Sequence, residues 1–283
     1  MVVEPGKLRI LVVNAISSAQ FDDVRRNTFL RHASDGTTVD VVSLRSGNKT
    51  VDHLSLELVN SVEILGLLSG TNLAAYHGVL INCFFDPALD EARECFALPI
   101  LGAGQLGMTV ASLLVREVVV FSPTVKMIPR IRRAIHEYGL ERSVAGIVPI
   151  QTGVEALQKL QLTGEVEPAL GEELSRCDKK ALALGGEIGV FACTATLGLT
   201  PLLQRHFSFP LVDAGLVAFK VVEAIAALYR DTGLTHSRLV TYAPPSELPT
   251  VLARLRGPSY RCGRTEKDQE SDQRTGIPGV RDR

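Results

Sequence analysis

The sequence predicts an α/β fold of two pseudosymmetric lobes, each a mainly parallel sheet flanked by helices, with the active site in the cleft between them. Three observations predict it. Short β-branched runs alternate with longer stretches of helical spacing. Several of those runs are apolar at consecutive positions, as strands covered on both faces must be. Two distant stretches, each opening on a cysteine, repeat the same order of elements.

In chain order, LRILVV (8–13), VDVVSL (39–44), GVLIN (78–82), ALPIL (97–101), VVVFS (118–122), GIVPI (146–150), EIGVFA (187–192) and FPLV (209–212) read as strands. Helical spacing covers 52–67, 88–96, 105–115, 124–138, 167–184 and 214–230. The last is apolar nearly all round; Lys220, Glu223 and Arg230 mark its narrow wet stripe, and Gly233 suits its C-terminal cap. Strand and helix in alternation dictate parallel pairing through crossover connections. The expected first lobe is 7–101 with the return segment 209–256, and the second is 102–208. From Gly257 the chain is polar, punctuated by Gly and Pro, and poor in bulky apolar residues. It cannot bury enough surface to offset its ordering entropy, so 257–283 is expected to be a disordered tail and Cys262 incidental.

Composition narrows the function. The 283 residues carry a formal net charge of −1, which gives no general attraction to nucleic acid or anionic membrane. Ten Phe, five Tyr and no Trp offer little for stacking bases. The start holds only the short run LRILVV, without a signal-peptide layout, and no stretch reaches the roughly 20 apolar residues of a spanning helix. The expectation is a soluble cytoplasmic protein acting on a small molecule, with no nucleic-acid or membrane partner and homo-oligomerisation left open. Five widely spaced cysteines, an odd number, argue against a disulfide framework.

The repeat gives those cysteines a meaning. CFFDPALDEARECFALPILGAG begins at Cys83, and CTATLGLTPLLQRHFSFPLVDAG begins at Cys193. Each passes from a strand end through a helical segment to a proline-bearing strand, at Pro99 and Pro210. A single unpaired cysteine at a strand end reads as a small core hydrophobe. Two at equivalent points of two facing lobes read as opposite walls of one cleft, because open parallel sheets bind ligands beyond the carboxyl ends of their strands. A helix after each cysteine would aim its N-terminal N–H groups at the thiol and favour thiolate.

INCFFDPALDEARE with LPILGAG, then VVVFSP, FACTATLGL and FPLVDAGLVAFKVVEAI, resembles the aspartate/glutamate/hydantoin racemase superfamily, nearest to its hydantoin racemase branch. The resemblance runs over about residues 7–245. It implies a cofactor-independent, metal-free racemase in which one thiolate removes the Cα proton and the opposing thiol returns one. Carried onto this chain, the two bases are Cys83 and Cys193. The same resemblance implies substrate contacts at Asn14 and Ser17 in the first strand-to-helix loop, Phe84 beside Cys83, Ser122 and Thr124 after the fifth strand, and Thr194 beside Cys193. Ser122 and Thr124 serve equally well as helix N-caps. Three departures stand out: Asn14-Ala15-Ile16-Ser17 where the family often has Asn-Pro-Asn-Thr, Gln105 where Glu is frequent, and Ala195 where glutamate-type enzymes place His. Losing these assistants favours a cyclic, hydantoin-like substrate with a more acidic Cα–H over a free acidic amino acid. A single-cysteine isomerase or decarboxylase of the superfamily, or a non-catalytic ligand-binding relative, remains the alternative.

Other motifs compete. Gly102-Ala103-Gly104-Gln105-Leu106-Gly107 satisfies the dinucleotide fingerprint, yet the next strand ends in Phe121-Ser122-Pro123 without the acidic ribose partner. The glycines are better explained by close strand–helix packing. The six histidines lack paired metal-ligand spacing. Cys95 and Cys177 read as packing residues, His206 as the least poor candidate for a cysteine's general base, and Arg130, Arg132 and Arg133 as a solvated helix face.

Overall fold

The computed structural model describes residues 7–255; the tail and Cys262 lie outside them. β1 (Leu8–Asn14), β2 (Thr37–Ser43), β3 (Gly78–Asn82) and β4 (Ile100–Gly102) form one sheet in the order β2-β1-β3-β4. β5 (Val118–Ser122), β6 (Val144–Pro149), β7 (Ile188–Phe191) and β8 (Leu211–Val212) form a second in the order β6-β5-β7-β8. Every pairing is parallel. The two orders are the same once four is added to each strand number, so the sequence repeat is a repeat of topology.

The strands form where expected because both faces are covered. In β1, Leu11 and Val13 enter one core cluster, while Ile10 and Val12 enter another. In β5, Val118 and Val120 face one cluster, while Val119 and Phe121 face its opposite. Burying each such side chain contributes about 1.5–3 kcal/mol. Pro99 and Pro210 lead into β4 and β8, the edge strands, where a missing N–H does no harm. Their carbonyls take equivalent hydrogen bonds, 2.9 Å from the N–H of Val79 and 2.9 Å from that of Gly189.

The helices are α1 (Asp22–His32), α2 (Leu54–Gly70), α3 (Leu89–Cys95), α4 (Ala103–Leu114), α5 (Ile128–Glu137), α6 (Gly153–Thr163), α7 (Pro168–Ala183), α8 (Thr200–Leu203), α9 (Ala214–Thr232) and α10 (Leu248–Leu255). Six match the expected segments. α1, α6, α8 and α10 were not anticipated. The buried face of α1 holds Arg25 and Thr28 beside Phe29, and that of α6 holds Gln161 beside Leu157 and Leu160, so neither shows a clean apolar stripe.

Two expectations are corrected. β8 was assigned with the return segment of the first lobe, but it pairs with β7 and belongs to the second sheet. The repeat itself requires this: the Pro210 strand pairs with its own cysteine strand, as the Pro99 strand does. The chain returns only at α9, whose Ala218, Phe219 and Val222 pack against Ile10, Val12 and Leu80 of the first sheet. Glu223, expected on a wet stripe of α9, is buried; its carboxylate accepts from the N–H of Ser34 at 2.9 Å and pairs with Lys220. Gly233 ends the helix in the left-handed conformation, as anticipated.

Phe121 lies among the rings of Phe191 (5.2 Å), Phe207 (4.9 Å) and Phe209 (6.4 Å, stacked). Phe121→Ala should therefore cost about 3–5 kcal/mol of unfolding free energy in urea. A loss near that of a surface substitution would show that the four rings do not organise the second lobe.

Candidate functional site

In each sheet the strand order reverses beside its first strand, opening a crevice at the carboxyl ends. Cys83 follows β3 at one crevice and Cys193 follows β7 at the other. Both cysteines line a single cavity of about 60 Å³. Ile16, Val51, Phe84 and Phe85 line it from the first lobe; Met127, Val154, Ala192 and Ala195 line it from the second. Polar groups on its wall are few: Arg25, Thr50, Asp52, Asn82, Gln158 and Thr194.

The backbone N–H groups two residues on, of Phe85 for Cys83 and of Ala195 for Cys193, favour charge on each sulfur. This differs from the helix-end arrangement expected from sequence. α3 does not begin until Leu89, and only a single 3-10 turn, Thr194–Thr196, follows Cys193 directly. Local N–H groups, not a helix dipole, face the thiols. Burial pushes the Cys83 thiol up to about 12, and nearby carboxylates Asp86 and Glu57 add to the rise. Burial also raises Cys193, but there the Ala195 N–H and the Arg25 guanidinium oppose it.

Two buried carboxylates fasten the cysteine loops. Asp86 accepts from the N–H groups of Gly104 (2.9 Å) and Gln105 (2.7 Å) and from the hydroxyl of Tyr138 (2.8 Å). It occupies the helix N-terminus where the glycine fingerprint would seat a pyrophosphate. The glycines make room for it: a Cβ at Gly102 would lie 2.3 Å from Asp86 Oδ1, and one at Gly104 would lie 1.8 Å from the Phe84 carbonyl oxygen. In the second lobe the carboxylate comes from the other side of the joint. Asp213 caps α9 by accepting from Leu216 N–H at 3.0 Å and accepts from Gly198 N–H, in the Cys193 loop, at 2.6 Å. Across the cleft, Thr194 donates its hydroxyl to the carbonyl of Asn82 at 3.0 Å, joining the residue after one cysteine to the residue before the other.

The sequence model described as Asp/Glu/Hydantoin racemase matches residues 10–222. The chain belongs to the Asp/Glu/hydantoin racemase family. It is an isomerase of the racemase kind. It is 25% identical to the hydantoin racemase of Paenarthrobacter aurescens, over 85% of this chain and 98% of that one. It is 28% identical to the hydantoin racemase of Rhizobium meliloti, over 65% of this chain and 74% of that one. Among solved structures, allantoin racemase from Klebsiella pneumoniae aligns with a TM-score of 0.74 at 26% identity, covering 85% of this chain and 94% of that one.

Within this racemase fold the residues expected at the site divide. Cys83, Phe84, Cys193 and Thr194 line the cavity. Asn14, Ser17, Ser122 and Thr124 are not on its wall, and the polar groups of the first three are engaged elsewhere. Asn14 is fully buried; its Nδ2 donates to Asp22 at 2.8 Å and its Oδ1 accepts from Asn82 at 2.9 Å. Ser17 donates to the Gly47 carbonyl at 3.2 Å, and Ser122 to that of Thr124 at 2.7 Å. Thr124 takes the N-cap position of a short 3-10 turn without a side-chain capping bond. Of the departures noted in sequence, Ala195 lies on the cavity wall, while Gln105 serves Asp86 and Arg93.

Sequence reading did not single out Arg25, and it placed Arg130 on a solvated helix face. Arg25 of α1 lies on the cavity wall, 3% exposed, with its Nε on Gln161 of α6 at 3.2 Å. Arg130 is not part of a solvated face: it is buried, pairs with Glu57, donates to the Val51 carbonyl at 2.6 Å and lies 3.7 Å from the centre of the Phe85 ring. Both tie one lobe to the other. Arg132 and Arg133 are exposed as expected. Cys177 is packed in the core below the second sheet and Cys95 against the first. His206 lies against Gly171 on a separate depression, away from both thiols. Among the described residues, no three His, Cys, Asp or Glu side chains gather to hold a metal ion, and no helix is long and apolar enough to cross a membrane.

Burial pushes the Asp86 carboxyl up to about 7, against the pull of its donors and of Arg93. The folded protein therefore holds this proton more tightly than the unfolded chain, where Asp titrates near ~3.9. Its contribution to stability falls as pH rises from about 4 to about 7 and is level above that. Asp86→Asn cannot ionise and should flatten that part of the slope in urea unfolding, while losing about 1–3 kcal/mol from the mismatched amide. Equal slopes in the two proteins would show that Asp86 titrates as a solvated acid.

Proposed function

We propose that this protein racemises a hydantoin or a related amino-acid derivative by moving a proton between two sulfurs, without cofactor or metal. The observation that carries the reading is that Cys83 and Cys193, from equivalent places in two repeated lobes, line one small cavity. One sulfur, as thiolate, takes the Cα proton; the electron pair of the C–H bond passes to the adjacent carbonyl as an enolate. The other sulfur, as thiol, gives its proton to the opposite face of that carbon and is left as thiolate. Opposed donor and acceptor invert the centre, and the reverse reaction exchanges their roles.

The substrate class follows from what the wall offers. It is largely apolar and small, which suits a compact neutral ring whose Cα–H is acidified by a ring carbonyl. A free dicarboxylic amino acid would bring two carboxylates and an ammonium to a wall with one cation and one acid, Arg25 and Asp52. The relatives named hydantoin racemase point the same way. Thiols doing this work must stay reduced, which fits the cytoplasm.

Cys83→Ala and Cys193→Ala should each lower racemisation by about 10²–10⁴-fold or more with the fold intact by circular dichroism. In D₂O, each variant should retain at most exchange into the one enantiomer that its remaining sulfur faces, read at Cα by NMR across hydantoins, allantoin and free amino acids. Because burial raises both thiols, the wild-type rate should climb into the alkaline range as thiolate forms. Undiminished inversion in both variants removes the two-base reaction, and loss in only one favours a single-cysteine isomerase or decarboxylase.

A further inference from the structure

Arg25 is a buried cation without a counter-ion. No carboxylate lies within ion-pair distance of it among the described residues, and Asp22, the nearest acid on its own helix, spends Oδ1 on Asn14 and Ser43. Its Nε is held by Gln161 and its guanidinium carbon lies 5.0 Å from the centre of the Phe21 ring, so the group is fixed in place. Its terminal nitrogens form no hydrogen bond among the described residues. A buried charge left unpaired destabilises a fold. Both sulfurs share the cavity wall with it, as does Asp52, and a charge on Cys193 or on Cys83 would offset the burial of the guanidinium.

The charged surroundings of the two thiols are unequal. Cys83 faces Asp86 from its own loop and Glu57 from α2, with Arg130 of α5 already paired to Glu57. Cys193 faces Arg25 from α1, and Asp52, the remaining acid on the wall, is hydrogen-bonded by Thr50 and His53. We propose that Arg25 is the counter-ion that makes Cys193 the more readily ionised of the two sulfurs, leaving Cys83 as the more firmly protonated partner. Arg25 is thus a positioning residue acting through Cys193. Its catalytic consequence rests on the racemase reading; its effect on ionisation does not.

The two are separated by a measurement that needs no substrate. Iodoacetamide alkylation of each cysteine, followed by peptide mass spectrometry across pH, reports thiolate directly. In the unaltered protein Cys193 should be alkylated ahead of Cys83 near neutral pH. In Arg25→Gln the Cys193 profile should move to higher pH by about one unit, slowing alkylation at neutral pH about tenfold, while Arg25→Lys keeps most of the wild-type profile. With an active substrate, the acid limb of kcat/KM should move by the same amount in Arg25→Gln. It must do so equally for both enantiomers, since racemisation has an equilibrium constant of one. An unmoved Cys193 profile in a folded Arg25→Gln overturns the assignment even if the protein racemises hydantoins. A moved profile with no racemisation of any panel member upholds it and sinks the racemase reading alone. Should Arg25→Gln not fold, prior alkylation of Cys83 in the unaltered protein overturns it, and prior alkylation of Cys193 supports it.

Discussion

The two cysteine loops are joined across the cleft by one buried hydrogen bond, from the Thr194 hydroxyl to the Asn82 carbonyl. The donor follows one cysteine, the acceptor precedes the other, and the two belong to different lobes. A bond of this kind contributes only about 1 kcal/mol net, yet leaving its partners unmade in a dry interior costs about 1–3 kcal/mol. Its value here is geometric, because it fixes the distance between loops that no strand connects. The two carboxylate joints do the same within each lobe. Asp86 ties the Cys83 loop to the start of α4, and Asp213 ties the Cys193 loop to the start of α9. Ancestral symmetry is visible in the strands, but the carboxylates sit on opposite sides of their joints, so the same mechanical problem has two local solutions.

That departure from symmetry has an electrostatic result. Asp86 lies three residues after Cys83 and raises the cost of charge on that sulfur, whereas Asp213 lies twenty residues after Cys193 and does not act on it. The nearby charges therefore differ although the two sheets repeat the same strand order. On a largely apolar wall such differences are screened less than in bulk water. A two-base reaction needs one sulfur charged and one protonated at the start of each turnover. For the two-base reaction proposed above, unequal surroundings would supply a preferred starting state.

The strands were legible in the sequence because their signal is redundant: consecutive apolar positions, β-branched residues and a turn at each end all agree. Cys83 and Cys193 were legible because each sits at a strand end in a repeated context. Arg25, Gln158 and Gln161 were not, and for one reason. They lie on the inner faces of α1 and α6, where a helix normally advertises itself with apolar residues, and they turn polar groups toward the cavity and toward each other. The same residues that complete the site erased the periodicity that would have revealed their helices. Ser17, Ser122 and Asn14 failed in the opposite direction. Their place beside the first strands of the lobes was correctly read, but Ser17 and Ser122 donate to backbone carbonyls within reach, and Asn14 is taken up by the side chains of Asp22 and Asn82.

The interlobe ties bear on how the cavity closes. Arg130 crosses from the second lobe to Glu57 and the Val51 carbonyl, and its face rests on Phe85, so its contacts and the wall of the cavity share residues. Glu57 and Arg130 are each penalised by burial and relieved by the other. A buried pair of this kind gains little over its own desolvation. Its strength is in direction: two donors and a ring contact fix the guanidinium plane, and with it Val51 and Phe85 on the cavity wall. Separating the lobes would return both ions to water, which offsets much of what the pair contributes. The pair thus contributes more to the shape of the cavity wall than to the stability of the joined lobes.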